Sequence, residues 1–294
     1  MRSIFYLNRK PWLFTFLLII FWAICSVLAV IALTLILQLE DYTQVPAPWD
    51  THIVNILTVF IIAPLVLGFP GKEHSFRDYL SEIRLTRMRP ILRLILLGLS
   101  CYLIFALSQA AGVLVYRLAE GLPVNGAFIR SSFVLANELP PRSDSWLIST
   151  ISIIEEVVWR GVVFAVFLRV YDQRKAILYS ALCFGLLHIL SVVNGYSLLY
   201  SLGNFVWAAI LGLFYGYVTI KADSLLPAMI VHYLGNLFVS AINAYIQANA
   251  SVSDIAIYGI VFTFGIIPTT LMILWTRFYT TRWPFTQESR ENAQ

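Results

Sequence analysis

The feature that most constrains this chain is the uncharged run from Pro11 to Leu39, 29 residues without an Asp, Glu, Lys or Arg. A helix that crosses the hydrocarbon core of a bilayer needs about 20 mostly apolar residues. A secretory signal has an apolar centre of only about 7–15 residues before a small-residue cleavage site, so the run reads as a retained first span. Further apolar stretches follow, giving eight expected spans at 12–37, 51–70, 93–116, 146–168, 176–194, 203–220, 225–246 and 254–276. The second contains Pro64, and the fifth and sixth are the least sharply divided.

Composition agrees. The 294 residues are 59% hydrophobic and 12% charged, whereas a soluble domain is about a quarter charged. The expected fold is all-α, a polytopic membrane protein forming one domain over 1–294 with no internal repeat. Disorder would need low hydrophobicity and high net charge. A disulfide scaffold would need many cysteines, and Cys25, Cys101 and Cys183 each lie in an apolar stretch as small hydrophobes. The formal charge of +4 does not point to nucleic acid, because the basic residues cluster beside apolar segments.

Their distribution sets an orientation. Arg2, Arg9 and Lys10 precede the first span, and Lys72, Arg77, Arg84, Arg87, Arg89 and Arg93 follow the second. Arg169, Arg174 and Lys175 follow the fourth, Lys221 the sixth, and Arg277, Arg282 and Arg290 the last. Alternate connections thus hold 16 of the 20 basic residues, which places both termini in the cytoplasm by the positive-inside bias. The terminal Glu291-Asn292-Ala293-Gln294 has no cysteine four from the end, so the chain is not itself a prenylation substrate. Phe76-Arg77-Asp78-Tyr79-Leu80 has the pattern of a short surface helix. Gly212 and Gly216 form a GxxxG that serves close helix packing.

Three ionisable groups remain inside the fourth span: Glu155, Glu156 and Arg160. Each is costly in a membrane and is tolerated facing a bundle interior or wet cavity. Glu156 and Arg160, at i,i+4, can neutralise each other. Glu155 is turned about 100° away and has no partner within its helix. His188 lies within the fifth span and His232 within the seventh, with Asn236 one turn after His232 and Phe184 one turn before His188. His52 and His74 read as surface residues. Counted at about 1.5 Å per residue from the cytoplasmic ends, Glu155, His188, His232 and Asn236 fall within one band of depth. A carboxylate and a histidine can hold a water and take its proton, and a second histidine with an amide can donate to an oxyanion. The competing arrangement is a zinc held by Glu155, His188 and His232, although the single-helix H-E-x-x-H pattern is absent.

These residues resemble one family. Glu155-Glu156-Val157-Val158-Trp159-Arg160 matches the EExxxR motif of the CPBP intramembrane proteases (CAAX proteases and bacteriocin-processing enzymes, also called the Abi family). Phe184-Gly185-Leu186-Leu187-His188 matches the family's FxxxH, and His232-Tyr233-Leu234-Gly235-Asn236 its HxxxN. Eight spans is similar to the type II CAAX prenyl proteases. The resemblance centres on a catalytic core at 146–246. It implies an endopeptidase in which Glu155 and His188 activate water, His232 and Asn236 stabilise the oxyanion, and Glu156 and Arg160 support the site; Phe184, by its spacing from His188, reads as an apolar wall beside the imidazole and so as a supporting residue. The family has been described both as metalloproteases and as glutamate-dependent peptidases; the unpaired Glu155 fits either account, and the reading adopted is glutamate-activated water, with no cofactor committed and zinc as the alternative. The implied partners are a membrane-associated protein or peptide substrate, prenylated at a CAAX end or carrying a leader, and the lipid bilayer. No feature sets an oligomeric state. The long first span and short connections look bacterial, which gives an inner cell membrane as the expected location. The alternatives are a proton-coupled transporter using the same ionisable groups as a relay, and a non-catalytic immunity or partner protein of the same fold.

Overall fold

The computed structural model describes residues 7, 9–40, 49–67, 75–119, 121, 124, 149–194, 197–249 and 265–285, and every regular element among them is helical. Helix α1 is Pro11–Ile36. Helix α2 starts at Trp49–Leu57, passes through a π-helical turn at Thr58–Ile62 and continues as Ala63–Leu67. Then come α3 (Phe76–Glu82) and α4 (Ile91–Ala119). Helix α5 is likewise interrupted, as Ile151–Glu156, a π-helical turn at Val157–Val163, and Phe164–Leu168. Helix α6 (Gln173–His188) tightens into a 3-10 stretch at Ile189–Asn194, which divides it from α7 (Leu198–Ala222). The last two are α8 (Leu226–Asn249) and α9 (Ile267–Arg282).

By length and composition α1, the Ile91–Gly112 part of α4, and α7 can each cross a membrane. The expected spans agree with the helices to within a few residues, except the last: α9 runs past its expected end, and 254–264 lie outside the described residues. The pattern at 76–80 is indeed a short helix, capped by Ser75, whose hydroxyl accepts from Asp78 N–H while the Asp78 carboxylate accepts from Ser75 N–H. Asp172 caps α6 by accepting from Lys175 N–H, a bond that holds its carboxyl below the usual range. Ser197 caps α7 in the same way through Tyr200 N–H.

Each π turn frees a backbone carbonyl from the regular ladder, and a neighbouring side chain takes it. Tyr79 Oη donates to the Val59 carbonyl at 2.6 Å, and Ser180 Oγ to that of Trp159 at 2.9 Å. Pro64 lies two residues past the end of the first π turn; a proline has no N–H to give the carbonyl four residues before it, and the wider turn accommodates its ring.

The bundle packs around two apolar cores, one among α1, α2, α3, α5 and α6 with Ala208 of α7 and Met229 of α8, the other among α4, α7, α8 and α9. Helices α6 and α7 make the most extensive pairing, and glycines permit it. A Cβ on Gly185 would stand 2.7 Å from the Phe205 carbonyl oxygen, and one on Gly212 3.1 Å from Ala181 Cα. The GxxxG is therefore a packing face, as its sequence suggests. By contrast, only 6% of the most apolar part of α1 is buried, so this helix stands at the edge with most of its surface turned outward.

Ion pairs sort the connections. Asp223, after α7, receives Arg87 Nη1 at 2.6 Å and Arg84 Nε at 3.2 Å. Arg169, after α5, meets Glu82 at 2.6 Å. Three of the connections that the charge bias assigns to the cytoplasm are thus tied together at one end. At the other end His52 departs from expectation: it is buried, with Nε2 3.0 Å from Thr150 Oγ1 and its ring edge-on to Trp49. The start of α2 packs against the start of α5, so a span end there is a helix contact and not a water boundary. His74 lies outside the described residues.

Candidate functional site

Glu155 and Glu156 occupy the last turn of regular helix before the π turn of α5, and Arg160 lies inside that turn. Glu156 and Arg160 are both fully buried, with Oε1 and Nη1 3.2 Å apart. The expected pair therefore forms, but Glu156 does more than neutralise. The same Oε1 accepts a hydrogen bond from His232 Nδ1 at 2.7 Å. The guanidinium carbon of Arg160 stands 4.1 Å from the Phe184 ring centroid and 5.0 Å from that of Tyr215, so two aromatic faces share its charge. Gly212 makes the space: a Cβ there would lie 3.1 Å from Arg160 Nη2.

Glu155 has no partner within its own helix, as its angular position predicts. Across the bundle it faces His232, with Oε2 3.7 Å from Nε2. One imidazole therefore stands between two carboxylates, Glu156 at Nδ1 and Glu155 toward Nε2. Its plane is fixed by aromatic neighbours. Tyr215 stacks on it at 5.0 Å and 21°, while Phe184 meets it edge-on at 5.9 Å.

His188 is the last residue of α6, where the helix tightens. Its Nδ1 is 3.0 Å from the Phe184 carbonyl oxygen. A carbonyl only accepts, so Nδ1 carries the hydrogen and, in the neutral ring, Nε2 carries the lone pair. Phe184 packs edge-on against His188 at 4.8 Å. This phenyl ring thus contacts both histidines and Arg160, a larger part than the apolar wall expected of it.

Two cavities open on these residues. The larger, about 600 Å³, is walled by α1, α2, α5 and α6 and takes in Glu155 and His188. The smaller, about 300 Å³, takes in His188, His232 and Asn236. They meet at Phe184, His188 and Asn204, which line both. Glu155, His188, His232 and Asn236 are therefore brought to one place, with Glu156, Arg160 and Phe184 around them. Among the described residues no group of three His, Cys, Asp or Glu side chains is arranged to hold a metal ion.

Sequence reasoning missed Tyr215 and Asn204. An aromatic or amide on an apolar helix carries no signal of its own, although Gly212 and Gly216 flank Tyr215 and mark that face of α7 as the one turned inward.

Residues 145–238 match the model of the family described as "Type II CAAX prenyl endopeptidase Rce1-like". No curated protein and no solved structure matches the chain. The matched stretch contains all three motifs and the whole cluster just described. Over residues 145–238 the chain is therefore similar to the Rce1-like, type II CAAX prenyl endopeptidase family.

Proposed function

We propose that the protein is a multi-pass intramembrane endopeptidase that hydrolyses membrane-associated substrates with a water activated by Glu155 and His188. The observation that carries this reading is the junction of the two cavities at His188. It sets Glu155 and His188 on one side and two further polar side chains, His232 and Asn236, on the other, which supports this reading. A water in the larger cavity donates one hydrogen to His188 Nε2 and another to the Glu155 carboxylate. As its oxygen adds to the scissile carbonyl, Glu155 takes the proton. The developing oxyanion receives hydrogen bonds from the Asn236 amide and from His232 when its Nε2 carries hydrogen. Collapse of the tetrahedral species breaks the C–N bond, and the proton held by Glu155 passes to the leaving amine. Glu156 and Arg160 hold His232 and the π turn in register. No step passes through a metal.

In this reading the chain spans the membrane eight times as one domain, with both termini in the cytoplasm of a bacterial cell and a catalytic core at 146–246. The mostly apolar walls of the larger cavity suit a hydrophobic or lipid-bearing segment next to the cleaved bond. The test is cleavage by purified protein in detergent of three internally quenched peptides: a farnesylated one ending in a CAAX sequence, its unprenylated twin, and a leader peptide carrying an apolar segment. Wild type should cleave at least one. Glu155→Gln and His188→Ala should each lose at least about 100-fold in kcat, and a chelator should leave the wild-type rate unchanged. Cleavage that persists in both variants would refute the assignment, and loss with chelator restored by zinc would refute the metal-free mechanism.

A further inference from the structure

Among the described residues three side chains line the place where the two cavities meet, and one of them is uncommitted. Phe184 has no hydrogen-bonding side-chain group. His188 directs Nδ1 to the Phe184 carbonyl and, in the proposed reaction, Nε2 to water. Asn204, half-buried on α7, makes no side-chain hydrogen bond among the described residues, yet it lines both cavities. An amide in an apolar helix that bonds to no neighbouring helix is not acting as interhelical glue. Its location has a cause in the packing: Gly185 lets α6 approach the backbone of α7 at Phe205, so the residue just before that crossing is carried to the side of His188.

We infer that Asn204 is a substrate-binding residue, whose amide pairs with the peptide unit adjoining the scissile bond. This rests on the proteolytic reading above. A scissile carbonyl reached by water from one cavity and by oxyanion donors from the other must lie across their junction. The neighbouring peptide unit then lies against Asn204. A carboxamide offers an N–H donor and a C=O acceptor side by side, the complement of a peptide group, and uses no charge that would disturb the carboxylates nearby. Asn204 so fixes the register of an extended segment without taking part in proton transfer.

The experiment compares wild type with Asn204→Leu, close to isosteric but without hydrogen bonds, and with Asn204→Ala, on whichever of the three peptides wild type cleaves. Thermal unfolding is measured in parallel. A second arm uses two analogues of that peptide in which the peptide bond on one or the other side of the scissile one is replaced by an ester, removing one N–H. Losing one hydrogen bond at a formed site should raise KM about tenfold while kcat stays within about twofold. One of the two ester analogues should raise the wild-type KM by a similar factor and raise that of Asn204→Leu no further, because the partner is already gone. The ester arm on wild type needs no variant to fold. If both Asn204 variants keep the wild-type KM, or if the ester and the substitution add in full, the inference is overturned while the protease reading stands. If wild type cleaves none of the three peptides, the protease reading itself falls and takes the inference with it.

Discussion

Gly185 offers a direct test of how tightly α6 and α7 are matched. A methyl group added there meets the Phe205 carbonyl oxygen at 2.7 Å, Ala209 Cβ at 2.9 Å and Phe205 Cδ2 at 3.0 Å. The closest of these atoms is backbone, so the clash cannot be relieved by turning a flexible side chain. To restore an ordinary contact the helices must separate by about 0.7 Å. Gly235→Ala is the control: its new Cβ meets only Phe105 Cε1, at 3.5 Å. Both variants gain the same helix propensity, about 1 kcal/mol, which cancels in the comparison. The remaining difference is overpacking, at the upper end of about 1–3 kcal/mol because three contacts are violated together. Gly185→Ala should therefore be less stable than Gly235→Ala by about 2–3 kcal/mol. Unfolding in micelles, followed by tryptophan fluorescence during SDS titration, reads this directly. Since His188 lies three residues along the displaced helix, kcat should also fall more than tenfold. Equal stability of the two variants would refute the packing argument.

Other outcomes follow from the buried charges and aromatics. Glu156→Gln leaves Arg160 buried without its counter-charge and should cost about 3–5 kcal/mol; adding Arg160→Met should recover most of the stability in the same SDS titration but none of the cleavage. Tyr215→Phe keeps the stacked ring over His232 and should retain activity, while Tyr215→Leu should lower kcat with KM unchanged in the peptide assay. Tyr79 is a pH case. Burial raises its phenol above the usual range, with Glu82 adding to the shift, so its contribution is complete below the unfolded value of about 10 and is lost as pH rises beyond it. Tyr79→Phe should cost about 1 kcal/mol near neutral pH and flatten the loss of stability above about pH 10, measured by thermal unfolding across that range.

Much of this site is legible in the sequence because a membrane makes polar residues conspicuous. Glu155, Glu156, Arg160, His188, His232 and Asn236 stand out only because their helices are otherwise apolar, and angular arithmetic separates the two glutamates correctly. What stays hidden is contact between helices. That Glu156 binds His232 depends on how α5 and α8 lie together, which no spacing along the chain encodes. The burial of His52 is hidden for the same reason, since a residue at a span end can face water or a neighbouring helix. Tyr215 and Asn204 are invisible to a search for charge, because an aromatic or an amide in an apolar helix is unremarkable until its neighbours are known. Helix boundaries are readable to a few residues, but the π turns at Thr58–Ile62 and Val157–Val163 are not.

The π turn at Val157–Val163 bears on how this helix tolerates change in length. A π turn closes its hydrogen bonds one residue further along than an α turn does, so α5 holds one residue more than an unbroken α-helix joining the same two ends. Straightening it without removing a residue would rotate Glu155 and Glu156 by about 100° relative to Phe164–Leu168 and carry the carboxylates away from His232. Removing one residue from the turn would instead leave both flanks where they are. For this helix a single deletion is thus the gentler edit, and substitutions that only favour regular helix are the harsher one, the reverse of the usual ranking.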